Sequence, residues 1–83
     1  MEKFYIDFNT GAGNENAETL EEAKKIAIDG VSYTQEPVFI YIVSDGVIDS
    51  KTAAILPWYG VSPREDDIVL ISYGDFGFYG DWI

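Results

Sequence analysis

The chain has 83 residues and a net charge of −10, from 15 acidic and 5 basic side chains, with no cysteine and no histidine. Because phosphate backbones and anionic membranes attract positive charge, this balance argues against direct binding to nucleic acid or to a lipid surface. Disulfide bonds and the usual zinc ligands are unavailable, so the hydrophobic residues, 47% of the chain, must stabilise the fold alone. We expect one small acidic domain over residues 1–83.

The first predicted element is a strand. Phe4, Ile6 and Phe8 are separated by single residues, and this period of two is typical of a strand with one buried face. Residues 9–16 are rich in glycine and asparagine, which predicts a loop.

A helix is predicted over residues 19–29. Thr19 is a good N-cap, and Glu22 stands three residues later, as in a capping box. Apolar residues then recur at helical spacing, namely Leu20, Ala23, Ile26 and Ala27. Gly30 is the residue type that commonly follows a helix C-terminus, so we expect the helix to end there and residues 31–36 to form a connector.

Strands dominate the second half of the chain. Residues 38–43 are an unbroken β-prone run, typical of a strand buried on both faces. Asp45-Gly46 is a strong hairpin signal, so residues 47–56 should return beside that strand. Residues 68–73 predict another strand, and the glycines near the end of the chain allow a short extended piece over residues 76–82.

The element order is therefore β-α-β-β-β. It predicts an α+β fold in which one helix packs on a four-stranded, mainly antiparallel sheet. If the first strand and the strand at 38–43 ran parallel in one sheet, their crossover should be right-handed. One helix covers only part of such a sheet, and the opposite face would need the aromatic tail, a partner chain or polar side chains.

The residue types do not favour catalysis. Without histidine and cysteine, the commonest general base and the strongest nucleophile are missing. The glycines at 11 and 13 lack the third glycine of a dinucleotide loop and the lysine of a phosphate loop. We predict a protein that is not an enzyme, with no cofactor, no catalytic residue and no metal site.

No apolar run approaches the roughly 20 residues that span a bilayer, and no segment has the pattern of a signal peptide. We therefore expect a cytoplasmic protein.

The last eleven residues, 73–83, are the most unusual part of the chain. Five are aromatic, three are glycine and two are aspartate, and no basic residue follows Arg64. Such a tail must either pack into a core or form a surface that a partner covers, and the sequence leaves both open. The candidate partner-binding residues are the aromatic and acidic side chains of this half, namely Trp58, Tyr59, Glu65, Asp66, Asp67, Asp75, Tyr79, Asp81 and Trp82.

Five segments carry a resemblance to a known group of proteins. They are the Thr10–Asn14 loop, the Thr19–Lys24 helix start, Tyr33–Gln35, the Trp58–Val61 turn and the Gly74–Trp82 tail. In these the chain resembles a family of short acidic proteins from Gram-positive gut bacteria and their mobile elements. The family has no established activity, so the resemblance implies no site residue. Small acidic proteins of mobile elements are often inhibitors of host defence enzymes, which by analogy implies an anti-CRISPR or similar anti-defence protein.

We predict a non-catalytic protein-binding module. Its acidic, aromatic surface would meet a protein partner, in the concrete case a basic nucleic-acid-binding enzyme that it inhibits. Two alternatives stay open. One is a structural or assembly domain that self-associates through a sheet face or edge. The other is a small-ligand or calcium module, for which the acidic run at residues 65–67 could hold a divalent ion weakly. Both a monomer and a homodimer are compatible with the sequence.

Overall fold

Two antiparallel sheets and one helix make up the part of the chain that the structure, a computed structural model, describes: residues 3–11, 14–64, 71–74 and 76–83. The elements in chain order are β1 (Lys3–Asp7), β2 (Glu15–Ala17), α1 (Leu20–Thr34), β3 (Val38–Ser44), β4 (Val47–Leu56), β5 (Trp58–Gly60), β6 (Ile71–Gly74) and β7 (Gly77–Gly80). The strand order is β2-β1-β3-β4 in the first sheet and β5-β7-β6 in the second. The predicted α+β class, with one helix and a four-stranded antiparallel sheet, is confirmed.

The core lies between the first sheet and α1. The central strands β1 and β3 bury Ile6, Val38 and Ile40 completely, and β4 adds Leu56. From the helix, the buried side chains are spaced by four residues along one face, as amphipathic packing requires: Ala23, Ala27 and Val31. Small side chains on this stripe let the helix approach the sheet closely.

The helix is longer than the sequence indicated. It passes through Gly30 and ends at Thr34. The C-cap residue Gln35 has a left-handed backbone and donates its N–H to the carbonyl of Val31 at 2.8 Å. Gly30 has a packing role, because a Cβ there would lie 2.6 Å from Cε1 of Phe8. The predicted stop at Gly30 and the predicted connector over residues 31–36 are therefore wrong. The helix continues because Val31, fully buried, extends the apolar stripe by one turn.

The loop predicted over residues 9–16 includes the start of an edge strand. In β2, Glu15 pairs with Ile6 and Asn16 with Tyr5, so β1 has a neighbour on each side. Two polar residues in a three-residue strand give too weak a pattern to predict. On its other side β1 runs antiparallel to β3, so the parallel crossover considered above does not arise.

The hairpin between β3 and β4 is confirmed. Asp45 and Gly46 have φ of 53° and 78°, the two positive values that a tight type I′ turn needs. Further along β4 the register with β3 shifts twice, and near the first shift the Asp49 carboxylate accepts the Lys51 N–H at 3.0 Å. Irregularities of this kind twist an edge strand and hinder pairing with another chain.

The remaining strands leave the first sheet at Pro57. Proline lacks an N–H and cannot continue a strand ladder, and β5 starts immediately after it. The strand predicted over residues 68–73 is described from Ile71, as β6, and it pairs with β7 rather than with the first sheet. Residues 68–70 lie outside the described residues. The extended piece predicted over residues 76–82 is confirmed as β7.

Candidate partner-binding surface

The predicted aromatic residues of the C-terminal half come together in the second sheet. Trp58 of β5 stands directly opposite Tyr79 of β7. Both side chains are half-buried and, with Trp82, they pack against the hydrophobic core. Tyr59 is half-buried as well. This placement gives Trp58, Tyr79 and Trp82 a role in packing, and their role in partner binding stays a prediction.

The glycines between the tail aromatics make this packing sterically possible. A Cβ on Gly77 would lie 2.5 Å from Cη2 of Trp58, and a Cβ on Gly80 would lie 2.7 Å from Cε2 of Tyr59. Cβ atoms in proteins essentially never make contacts this short. The alternation of glycine and aromatic residues in the tail therefore lets the rings of β5 lie directly on the backbone of β7.

Trp82 also meets the helix. The Lys24 ammonium nitrogen lies 5.2 Å from the centroid of the Trp82 ring, a cation–π geometry. Beside it Asp81 is exposed and accepts the Trp82 N–H at 2.9 Å through its carboxylate. The other acidic residues of the predicted site are Glu65, Asp66, Asp67 and Asp75, which lie outside the described residues. Their part in partner binding stays a prediction.

Two aromatic pairs at the β6–β7 hairpin were missed by sequence reasoning. Tyr33 of α1 and Phe76 of the hairpin turn meet edge to face, with centroids 5.2 Å apart and rings inclined by 72°. Tyr73 and Phe78, opposite each other on β6 and β7, do the same at 5.0 Å and 70°. Tyr33, Tyr73 and Phe76 remain 65%, 69% and 50% exposed. We call these four residues the hairpin patch.

The aromatic composition of residues 73–83 could have indicated three members of the hairpin patch, namely Tyr73, Phe76 and Phe78. The fourth, Tyr33, lies in a segment that the sequence assigned to a connector, where its side chain could not be placed. Because α1 extends to Thr34, Tyr33 falls in the last helical turn and reaches the hairpin.

The helix side of the hairpin patch is negatively charged. Asp29 lies one helical turn before Tyr33 on the same face, and both are exposed. Glu36 is exposed just past the end of α1, and the last turn of α1 contains no basic residue. The carbonyl end of a helix carries partial negative charge, so it attracts positively charged groups as the carboxylates of Asp29 and Glu36 do.

A second aromatic group lies on the face of the first sheet that points away from α1. Tyr5 and Tyr41 are directly paired, and the Tyr41 ring stacks with Phe39 at 6.5 Å. The Tyr5 hydroxyl accepts a hydrogen bond at 2.7 Å from the side chain of Asn14. All three rings are half-buried, so this face offers less free aromatic surface than the hairpin patch.

The described residues offer little to a small ligand or a metal ion. A shallow depression of about 340 Å³ lies beside β2. It is lined by Lys3, Asn16, Ala17, Glu18 and Glu22, of which only Ala17 is apolar. Typical ligand pockets are mostly apolar. In the described part of the chain no three acidic side chains are grouped to hold a metal ion. The weak metal site considered at residues 65–67 lies outside that part and stays a prediction.

Comparison with known proteins gives no match. No family model matches the chain, and neither does any curated protein or solved structure. The resemblance to short acidic proteins of Gram-positive bacteria therefore stays a prediction. Within the described ranges, α1 is too short and too polar to cross a membrane.

Proposed function

We propose that this protein is a non-catalytic binding module whose hairpin patch docks on a positively charged protein partner. The observation that carries the proposal is the pair of edge-to-face contacts, Tyr33–Phe76 and Tyr73–Phe78, in which three of the four side chains are exposed, on a chain of net charge −10. Exposed aromatic side chains that are grouped together are costly in water and mark interaction sites. Aromatic residues also supply much of the binding energy at protein interfaces.

The charge of the chain selects the kind of partner. A net charge of −10 on 83 residues attracts positively charged surfaces at long range and repels negatively charged ones. Charge of this kind mainly speeds association and excludes wrong partners, whereas buried aromatic anchors slow dissociation. The hairpin patch and the net charge therefore supply complementary parts of one binding mechanism.

In its concrete form, the partner is a basic nucleic-acid-binding enzyme and the protein is its inhibitor, of the anti-CRISPR or anti-defence type. An acidic protein that occupies a basic groove excludes the phosphate backbone by direct competition for the same lysines and arginines. Two features support the inhibitor hypothesis. They are the negative charge of the chain and its resemblance to short acidic proteins of mobile elements.

A pull-down from a lysate of the host bacterium tests the proposal, with nuclease added and with bound proteins identified by mass spectrometry. The test variant is Tyr73→Ser with Phe76→Ser. The control variant is Val47→Ser with Ile48→Ser on the β3–β4 turn side, because these residues match the first pair in exposure, at 69% and 48%. Both variants remove two exposed apolar side chains and should fold.

The proposal predicts that the wild type and the control retain the same basic protein after nuclease treatment, and that the test variant loses it. High salt should weaken retention, because the attraction between exposed charges is screened. A bound protein that the test variant retains as well as the wild type does would contradict docking through the hairpin patch. Absence of any bound protein at low salt would contradict the binding function itself.

A further inference from the structure

We propose that Tyr33 and Phe76, with the carboxylates of Asp29 and Glu36, form a binding site for an arginine side chain of the partner. This inference rests on the proposed function and names the chemistry of its central contact. It is carried by the position of the two rings at the carbonyl end of α1.

The two rings have free surface of the required kind. Their edge-to-face contact uses the face of only one ring, and the side chains stay 65% and 50% exposed. The face of an aromatic ring is negative and attracts a cation within about 6 Å of its centroid. A side chain that approaches the end of α1 can therefore lie over one ring while it contacts the edge of the other.

Three negative features lie at the C-terminal end of α1. Asp29 precedes Tyr33 by one turn, and Glu36 follows it just beyond the helix. The last turn of α1 carries no lysine or arginine that would neutralise the carbonyl end of the helix. Because a cation gains from each of these features and an anion loses, the site favours positively charged groups.

The molecule already contains one contact of this type. Lys24 lies over the ring of Trp82 on the same helix, 5.2 Å from its centroid. There the cation comes from the chain itself and the contact joins the tail to α1. At Tyr33 and Phe76, no cation–π partner is found among the described residues, and the proposal assigns this place to a cation of another molecule.

Arginine fits this site better than lysine. The guanidinium group is planar and weakly hydrated, so it stacks on an aromatic face while its N–H groups point outward in the plane. Those N–H groups can then pair with a carboxylate beside the ring, as Asp29 or Glu36 would allow. The ammonium group of lysine is compact and strongly hydrated, and it satisfies only one of these contacts at a time.

The test uses fluorescently labelled octa-arginine and octa-lysine peptides, which carry the same charge, and measures binding by anisotropy at low salt. We expect octa-arginine to bind about 2- to 5-fold more tightly, the factor of one exposed cation–π contact. Tyr33→Ser should remove this preference. The matched control is Val47→Ser, because Val47 is 69% exposed, close to the 65% of Tyr33, and lies on β4 outside the hairpin patch.

The carboxylates are tested in the same way. Asp29→Asn with Glu36→Gln should reduce the preference for octa-arginine, whereas Glu21→Gln, at the opposite end of the same helix, should leave it unchanged. In aromatic NMR spectra, octa-arginine should shift the ring signals of Tyr33 and Phe76. Equal affinity for the two peptides, or binding that leaves both ring signals in place, would overturn the inference.

The outcome is separable from that of the proposed function. If the Tyr73 and Phe76 variant loses its partner but octa-arginine shows no preference, the arginine site is wrong and the binding function stands. If octa-arginine binds at Tyr33 as expected but no partner is captured, the arginine site stands and the proposed function fails.

Discussion

Ile83 and Ile55 form two backbone hydrogen bonds with each other. The Ile83 N–H donates to the Ile55 carbonyl with an N···O distance of 3.0 Å, and the Ile55 N–H donates to the Ile83 carbonyl at 3.2 Å. Ile55 lies in β4, the edge strand of the first sheet, so Ile83 pairs with part of that open edge. Three residues earlier, the Gly80 N–H donates to the carbonyl of Pro57 at 3.0 Å. The tail therefore runs beside residues 55–60 across the proline and ties the two sheets together.

This relationship predicts that removal of residues 76–83 destabilises the whole domain. The deletion takes away β7 together with Tyr79 and Trp82, two half-buried rings that pack against the core. Loss of one fully buried aromatic side chain costs about 3–5 kcal/mol, and two half-buried rings should cost a similar amount in total. Urea unfolding followed by circular dichroism measures the loss.

A smaller deletion separates backbone pairing from ring packing. Removing Ile83 alone abolishes its two hydrogen bonds with Ile55 and leaves both rings in place, so we expect a loss of roughly 1–3 kcal/mol. If removal of residues 76–83 leaves the unfolding midpoint unchanged, the tail does not contribute to the stability of the domain, and its packing role is wrong.

Gly30→Ala should destabilise the protein although alanine is the better helix former. Intrinsic propensity favours alanine by about 1 kcal/mol in a helix interior. Against this gain, the new Cβ would lie 2.6 Å from the Phe8 ring, which is buried and cannot move away freely. Overpacking of this kind typically costs about 1–3 kcal/mol, so the net change in unfolding free energy should be a loss.

Two further variants control this measurement. Lys25→Ala on the exposed side of the same helix should change the unfolding free energy by less than about 0.5 kcal/mol. Phe8→Leu in the Gly30→Ala background should recover part of the loss, because a smaller side chain leaves room for the methyl group. A stabilised Gly30→Ala protein would show that Gly30 was kept for a reason other than its contact with Phe8.

Local signals in the sequence predicted local structure well. Three of these signals are the N-cap at Thr19, the Asp45-Gly46 turn and the period of two in β1, and each depends on neighbours a few residues away. Each of them appears in the structure where it was predicted. The fold class follows from these elements, because an amphipathic helix must bury its apolar stripe against another element and the other predicted elements of this chain are strands.

The errors arise where a residue has a partner far away in the chain. Gly30 was interpreted as a helix stop because its contact with Phe8 cannot be read from local sequence. The second sheet depends on β7 inserting between β5 and β6, which requires the chain to break at Pro57. Tyr33 was missed for the same reason, since only the longer helix brings it to Phe76.

Thr19→Ala should weaken the start of the helix. The Thr19 hydroxyl oxygen accepts the N–H of Glu22 at 3.1 Å, and this bond satisfies one of the free donors at the helix N-terminus. Loss of such a cap costs about 1 kcal/mol. Thr19→Ser keeps the hydroxyl and should retain most of the stability. Equal unfolding midpoints for the alanine and serine variants in thermal or urea denaturation would contradict the capping role.

The last prediction concerns the charge of the chain. Changing Glu65, Asp66 and Asp67 together to lysine makes the net charge less negative by six units. We expect association with the basic partner to slow by about 10-fold at low salt, because electrostatic steering depends on charge of opposite sign. Stopped-flow or surface plasmon resonance measurements at low and high salt give the association rate and its salt dependence, which should become weaker in the variant. The neutral triple change to glutamine and asparagine should produce an intermediate effect. Association that is equally fast and equally salt-sensitive in all three proteins would remove the electrostatic part of the proposed function.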